Sequence, residues 1–253
     1  MRLPDFIIGG APRSGTTWLY QVLAGHPEIY MARPARPEPK FFLVDELYEK
    51  GLDHYAQWFS GAHAGQTTGE KSTNYLESGV AARRIRADLP SVKLIFVLRD
   101  PVERAYSNYL WSRMNGLEAE EFGVALALET KRERNLSPAL RYARPFSYYA
   151  RGLYADLLQP YLTLFPRGQL LVLRFEDISS DPESLVETVS DFLGVKPRME
   201  GVATAGVVNA SEKGDDAAMP SEARRQLSAA YAEPNRRLAR LLGDGFRIWE
   251  PTS

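Results

Sequence analysis

The sequence contains no cysteine, no long apolar run and almost no excess of charge. Without cysteine, disulfide bonds and thiolate-bound metals are excluded, and the redox compartment is left open. A net charge of −1 argues against a general nucleic-acid binder, which would be clearly basic. Because there is no run of about 18 apolar residues, no membrane span is expected. Only five residues precede the first strand-like run, which leaves no room for a signal peptide, and we expect a cytoplasmic protein.

The hydrophobic pattern indicates strands that alternate with helices. Residues 92–98 form a continuous apolar run, which is typical of a buried strand in a parallel sheet. Strands are expected at 6–9, 67–72, 92–98 and 169–173, and helices at 16–23, 53–59, 79–86, 102–114, 182–193 and 221–242. A more polar, helical region is expected from Glu118 to Phe165, broken near Pro138 and Pro145. The pattern predicts a P-loop-like, three-layer α/β fold with a central, mostly parallel sheet flanked by helices. With 253 residues, the chain suits one domain covering 1–253.

The segment Gly10–Thr17 is a turn between the first strand and the first helix. A glycine turn at this place directs backbone N–H groups toward one point, and the helix N-terminus adds partial positive charge. Gly10 and Gly15 have the spacing of a Walker loop, but Thr16 stands where that loop has lysine, and Arg13 is the nearest cation. The turn therefore predicts a phosphate site that is not built for a nucleoside triphosphate. The alternative is an ordinary turn with a Ser/Thr helix cap.

Arg99 and Ser107 form a second candidate anion site. Arg99 follows the apolar strand, and Ser107 lies about two turns into the next helix. A guanidinium and a hydroxyl at such a junction suit a second phosphate, and ligands of these sheets bind beyond the carboxyl ends of the strands. The alternative is structural: Asp100 caps the helix, and Arg104 pairs with Glu103 or Asp100.

Together, the two motifs resemble the sulfotransferase family that uses 3′-phosphoadenosine 5′-phosphosulfate (PAPS), and most closely its heparan sulfate sulfotransferase branch. The resemblance covers most of the chain and rests on Pro12–Thr17, Arg99–Pro101 and Ser107, with further similar stretches at Lys50–Tyr55, Gly69–Tyr75 and Glu233–Arg237. It implies transfer of a sulfuryl group to a hydroxyl of a carbohydrate or of a glycosylated or phenolic natural product. The product of the donor would be adenosine 3′,5′-bisphosphate (PAP), and no metal is expected. The expected location differs from that of the Golgi-anchored animal enzymes and suggests a bacterial setting.

The resemblance also implies which residues bind the donor. Arg99 and Ser107 would hold the 3′-phosphate, and the first turn would hold the 5′-phosphosulfate through Arg13, Ser14, Gly15, Thr16 and Thr17. Trp18 would lie near the adenine, with packing in the core as the alternative. Lys213-Gly214 resembles a loop that closes over the donor phosphate. Arg13 replaces a lysine of many members, and because a guanidinium does not release its proton, we assign it electrostatic stabilisation only.

An acceptor hydroxyl needs a general base, and Glu38 is the candidate. It lies in a segment with three prolines, three residues before Phe41-Phe42, in the position of the base of the heparan-type branch. Lys71, next to Glu70, matches a lysine near the acceptor. The alternatives are a solvated carboxylate for Glu38 and a surface ion pair for Lys71 with Glu70. None of the three histidines has the context of the base used by the cytosolic small-molecule branch.

Two other functions stay open at this point. A P-loop kinase-like phosphotransferase would need Mg²⁺ and a lysine equivalent, which the sequence does not show. A non-catalytic nucleotide-binding module would keep the loops with an inert Glu38. The acceptor is expected to be a small molecule or a glycan, and the sequence does not predict the oligomeric state.

Overall fold

A computed structural model describes residues 1–200, 218–243 and 245–249. Its central feature is a five-stranded sheet in which all neighbouring strands are parallel. The strands are β1 (Phe6–Gly10), β2 (Ile29–Met31), β3 (Thr67–Lys71), β4 (Lys93–Leu98) and β5 (Leu170–Arg174), in the order β2-β3-β1-β4-β5. The first strand is therefore central, with β3 on one side and β4 on the other.

Helices connect successive strands, as parallel pairing requires. They are α1 (Thr16–Ala24), α2 (Asp45–Tyr48), α3 (Gly51–Ala56), α4 (Gly79–Asp88), α5 (Pro101–Met114), α6 (Phe122–Arg134), α7 (Tyr154–Leu164), α8 (Asp177–Ser180), α9 (Pro182–Leu193) and α10 (Ser221–Leu242). Side-chain caps begin three of them, since Ser78 accepts from Ala81 N–H, Asp100 from Val102 N–H and Asp181 from Ser184 N–H. Within the described ranges, no helix is both long enough and apolar enough to cross a membrane.

The described chain divides into two compact units. Residues 1–98 and 159–200 form the first unit, which contains the sheet, and residues 99–158, 218–243 and 245–249 form the second. The core of the first unit packs apolar side chains of β1, β4, α1 and α9 together. The core of the second unit is rich in aromatic rings, including Tyr106, Tyr109, Phe122, Tyr148 and Tyr231. A single domain covering 1–253 stays a prediction.

The predicted fold class is confirmed, and the errors concern short elements. The sequence pattern missed β2, α2 and α8, which have three or four residues each and are too short to show a period. The helix expected at 53–59 is divided into α3 and a 3₁₀ turn, Gln57–Phe59. Such short elements depend on contacts with other parts of the chain. Residues 29–31, for example, are a strand because they pair with β3.

Candidate active site

The turn between β1 and α1 depends on Gly15. This residue precedes α1 with a φ of 78°, in the left-handed region that favours glycine. A Cβ at this position would lie 2.5 Å from Ile178 Cδ1 and 2.7 Å from Phe175 Cδ2. Arg13, in the same turn, also has a positive φ of 68°. Packing against the chain after β5 therefore shapes the loop that was predicted to bind phosphate.

The start of α1 offers hydrogen-bond donors. No side chain of the described residues caps this helix, so the N–H groups of its first turn and its dipole are available to an anion. The Ser14 hydroxyl is fully buried and has no hydrogen-bond partner among the described residues. A buried hydroxyl normally has a partner, and a bound anion would supply one. The side chain of Trp18 packs in the core and is 3% exposed, so its contact with adenine stays a prediction.

Glu38 is held by three donors from β3 and the residues after it. One carboxylate oxygen accepts from the Lys71 ammonium in an ion pair, and the other accepts from the Thr73 backbone N–H at 3.1 Å. The Thr73 hydroxyl lies 3.2 Å and 3.3 Å from the two oxygens. The Glu38 side chain is 12% exposed and that of Lys71 is 3% exposed. Glu38 is thus not a freely solvated carboxylate, and the ion pair of Lys71 is neither on the surface nor with Glu70.

Strand pairing brings this ion pair close to the predicted phosphate loop. Lys71 pairs with Ile8 in the parallel register of β3 and β1, two residues before Gly10. A Cβ at Gly10 would lie 3.0 Å from the carbonyl oxygen of Thr73, so the loop and the residue that binds Glu38 touch each other. Within the first unit, a carboxylate, an ammonium and a candidate anion site therefore lie together at the carboxyl ends of adjacent strands.

Sequence analysis missed Glu70 as a functional candidate. It is fully buried in β3 and accepts hydrogen bonds from the Tyr55 hydroxyl at 2.9 Å and the Ser72 hydroxyl at 2.7 Å. Burial raises the pKa of this carboxyl to about 7, although the hydrogen bonds that it accepts act in the opposite direction and lower the pKa. A charged residue inside a predicted strand was the available signal, because strands of such sheets are usually apolar.

The second motif lies in the second unit. Asp100 caps α5 at 2.8 Å from Val102 N, with Pro101 in the first turn, as the structural alternative predicted. Ser107 is 6% exposed in the second turn of α5, and the Arg99 carbonyl accepts from the Tyr154 hydroxyl at 2.8 Å. The two predicted ligands of the 3′-phosphate therefore lie close together in the chain. Arg99 is between β4 and α5, just before the cap Asp100, and Ser107 is in α5.

The other part of that structural alternative is wrong. Arg104 is fully buried and donates to the Tyr148 carbonyl, whereas Glu103 pairs with Arg224 at 2.6 Å. Lys213-Gly214 lies outside the described residues. Among the residues that the structure describes, no group of three or more His, Asp or Glu side chains could hold a metal ion.

Comparison with known proteins defines the class. The chain matches the sulfotransferase domain family over residues 3–211 and belongs to it. It is 33% identical to mouse heparan sulfate glucosamine 3-O-sulfotransferase 3B1, over 97% of this chain and 65% of that protein. The chain thus spans about two thirds of that relative's length.

Solved structures agree with this family. The crystal structure of a sulfotransferase from Alicyclobacillus acidocaldarius matches with a TM-score of 0.79 and 30% identity, over 96% of both chains. Mouse sulfotransferase SULT7A1, solved in complex with PAP, has a TM-score of 0.60 at 15% identity, over 96% of this chain and 89% of that one, which shows the shared fold. The predicted family is therefore confirmed along with the fold.

Proposed function

We propose that this protein is a PAPS-dependent O-sulfotransferase with Glu38 as its general base. The observation that carries the proposal is the contact of Glu38 with Lys71 and Thr73 beside the phosphate loop. All these groups donate hydrogen bonds to the carboxylate and orient it, as a group that takes a proton from the acceptor requires. A sensing module needs the phosphate loop but has no use for a partly buried, oriented carboxylate next to it.

On the donor side, the loop supplies positive potential. The backbone N–H groups of Ser14–Thr17 and the Arg13 guanidinium would bind the 5′-phosphosulfate and stabilise charge on the leaving phosphate. Arg99 and Ser107 are the proposed ligands of the 3′-phosphate, and Lys213-Gly214 stays a predicted contact with the donor. The transferred sulfuryl group carries less charge than a γ-phosphoryl group, so cations and amides of the protein suit its transition state.

The proposed reaction is an in-line displacement at sulfur. The acceptor oxygen forms a bond to sulfur while the bond between sulfur and the phosphate oxygen of PAPS breaks. Glu38 takes the proton of the acceptor hydroxyl, and the products are a sulfate ester and PAP. Lys71 orients the Glu38 carboxylate through their ion pair and compensates the charge of Glu38. Its proposed catalytic role is this contact with the base.

The acceptor is proposed to be a carbohydrate hydroxyl. The mouse relative is named for the 3-O position of heparan sulfate glucosamine, and glycosylated or phenolic natural products are the second acceptor class to test. A cytoplasmic location is part of the same proposal, and fractionation of expressing cells tests it.

The E38Q variant tests the assignment of the base. We expect its turnover of PAPS with a panel of desulfated glycans and phenols to fall about 10²- to 10⁴-fold. Its thermal shift with PAP should be unchanged, because Glu38 is not a proposed ligand of the donor. E49Q alters an exposed carboxyl of the same unit and should behave as wild type. Wild-type turnover by E38Q would remove Glu38 from the mechanism.

The donor itself can be tested without an acceptor. PAP at a hundred times its dissociation constant should stabilise the fold by about 2.7 kcal/mol without a divalent cation. A thermal shift with Mg-ATP and none with PAP would instead support the kinase-like alternative.

A further inference from the structure

Glu70 is a fully buried carboxyl that the proposed reaction does not use. Successive side chains of a strand point to opposite sides, so Glu70 faces away from the neighbouring Lys71, which binds Glu38. An ionisable group inside a sheet is costly unless other groups bind it. The groups that bind the Glu70 carboxyl therefore indicate its role.

A chain of hydrogen bonds joins Glu70 to the segment that carries Glu38. The Ser72 hydroxyl donates to the Glu70 carboxyl at 2.7 Å and accepts from the Lys40 backbone N–H at 2.9 Å. Lys40 lies two residues after Glu38 and has a positive φ of 50°, which a residue with a side chain rarely adopts without such contacts.

The second partner of Glu70 supports the same segment. Tyr55 donates to Glu70 at 2.9 Å, and its ring stacks on that of Phe41 with centroids 4.5 Å apart and planes 11° from parallel. The next amide, Phe42 N–H, donates to the Tyr75 hydroxyl at 3.2 Å. The end of the segment is thus attached to groups that surround Glu70.

The four consecutive residues 70–73 make two kinds of contact. Lys71 and Thr73 bind the Glu38 carboxylate, whereas Glu70 and Ser72 bind the backbone two residues further along and its aromatic neighbour. We propose that Glu70 is a positioning residue, which holds Lys40 through Ser72 and thereby keeps Glu38 against Lys71 and Thr73. This inference rests on the proposed function of Glu38.

The first test is amide hydrogen exchange of the segment 38–43, which needs no acceptor. We expect S72A and E70Q to increase the exchange rate of this segment about tenfold. In S72A the Lys40 amide loses its acceptor, and in E70Q the Ser72 hydroxyl loses the carboxylate to which it donates. S72T keeps the hydroxyl and should exchange as wild type does. T68V removes the hydrogen bonds of the buried Thr68 to Leu3 and Asp5 at the other end of β3, and it should leave the segment unchanged.

The second test is kinetic and separates positioning from general damage. S72A and E70Q should lower kcat about tenfold at an unchanged KM for PAPS and an unchanged thermal shift with PAP, and S72T should restore kcat. Wild-type exchange in S72A and E70Q, or an equal effect of T68V, would overturn the inference. Normal turnover by E38Q would instead refute the role of Glu38, while the exchange result would still decide whether Glu70 holds the segment.

Discussion

Replacing Glu70 with glutamine should change how the stability of the fold depends on pH. Burial is the main cause that raises the pKa of this carboxyl from 4.5 to about 7, and the charge of Glu38 acts in the same direction. The folded protein therefore binds this proton more tightly than the unfolded chain does. The protonated Glu70 carboxyl therefore contributes most to the free energy of unfolding below pH 4.5. This contribution is lost as the pH rises to about 7.

The size of this effect follows from the shift. Each pH unit of pKa difference corresponds to about 1.4 kcal/mol, so the total is on the order of 3 kcal/mol for this fully buried group. E70Q cannot titrate at this position. The free energy of unfolding of the wild type minus that of E70Q should therefore fall by about 3 kcal/mol between about pH 4 and pH 8.

Urea unfolding at a series of pH values, followed by tryptophan fluorescence, measures this difference. E187Q changes an exposed carboxyl of α9 and provides the background from an ordinary surface group. A difference between wild type and E70Q that is flat, or that increases with pH, would mean that Glu70 is ionised in the folded protein at low pH. The reasoning from burial would then be wrong.

Two further predictions concern the donor site. G15A should lower the free energy of unfolding by more than about 1 kcal/mol and abolish the thermal shift with PAP, because a Cβ there meets Ile178 and Phe175 at positive φ. R99A should weaken PAPS far more than adenosine 5′-phosphosulfate, which lacks the 3′-phosphate, and competition titrations measure both affinities.

Each of these variants has a matched control. G168A places a Cβ where no atom lies within 4 Å, so it should keep both stability and the thermal shift with PAP. R113A removes an exposed arginine of α5 and should bind both nucleotides as wild type does. Unchanged PAP binding by G15A would contradict the loop assignment, and an equal loss of both nucleotides in R99A would remove Arg99 from the 3′-phosphate site.

Local sequence was sufficient for the features that depend on neighbouring residues. The apolar run of β4 is buried along its length except at its first residue, so the pattern alone identified a strand of a parallel sheet. The turn Gly10–Thr17 was predicted because glycine spacing and a helix start are local signals. The family follows from these local motifs and their order.

Only the tertiary structure decided what Glu38 contacts. Lys71 and Thr73 are more than thirty residues away in the sequence, and they meet Glu38 because β2, which precedes Glu38 in the chain, pairs with β3 in this register. A shift of the β2–β3 register by one residue would exchange Lys71 with Glu70 and place a carboxylate against Glu38. Neither pairing partner nor register is contained in a local pattern. The sequence could therefore identify a candidate base and a candidate phosphate loop, whereas the partners of the buried Glu70 carboxyl became visible only in the folded sheet.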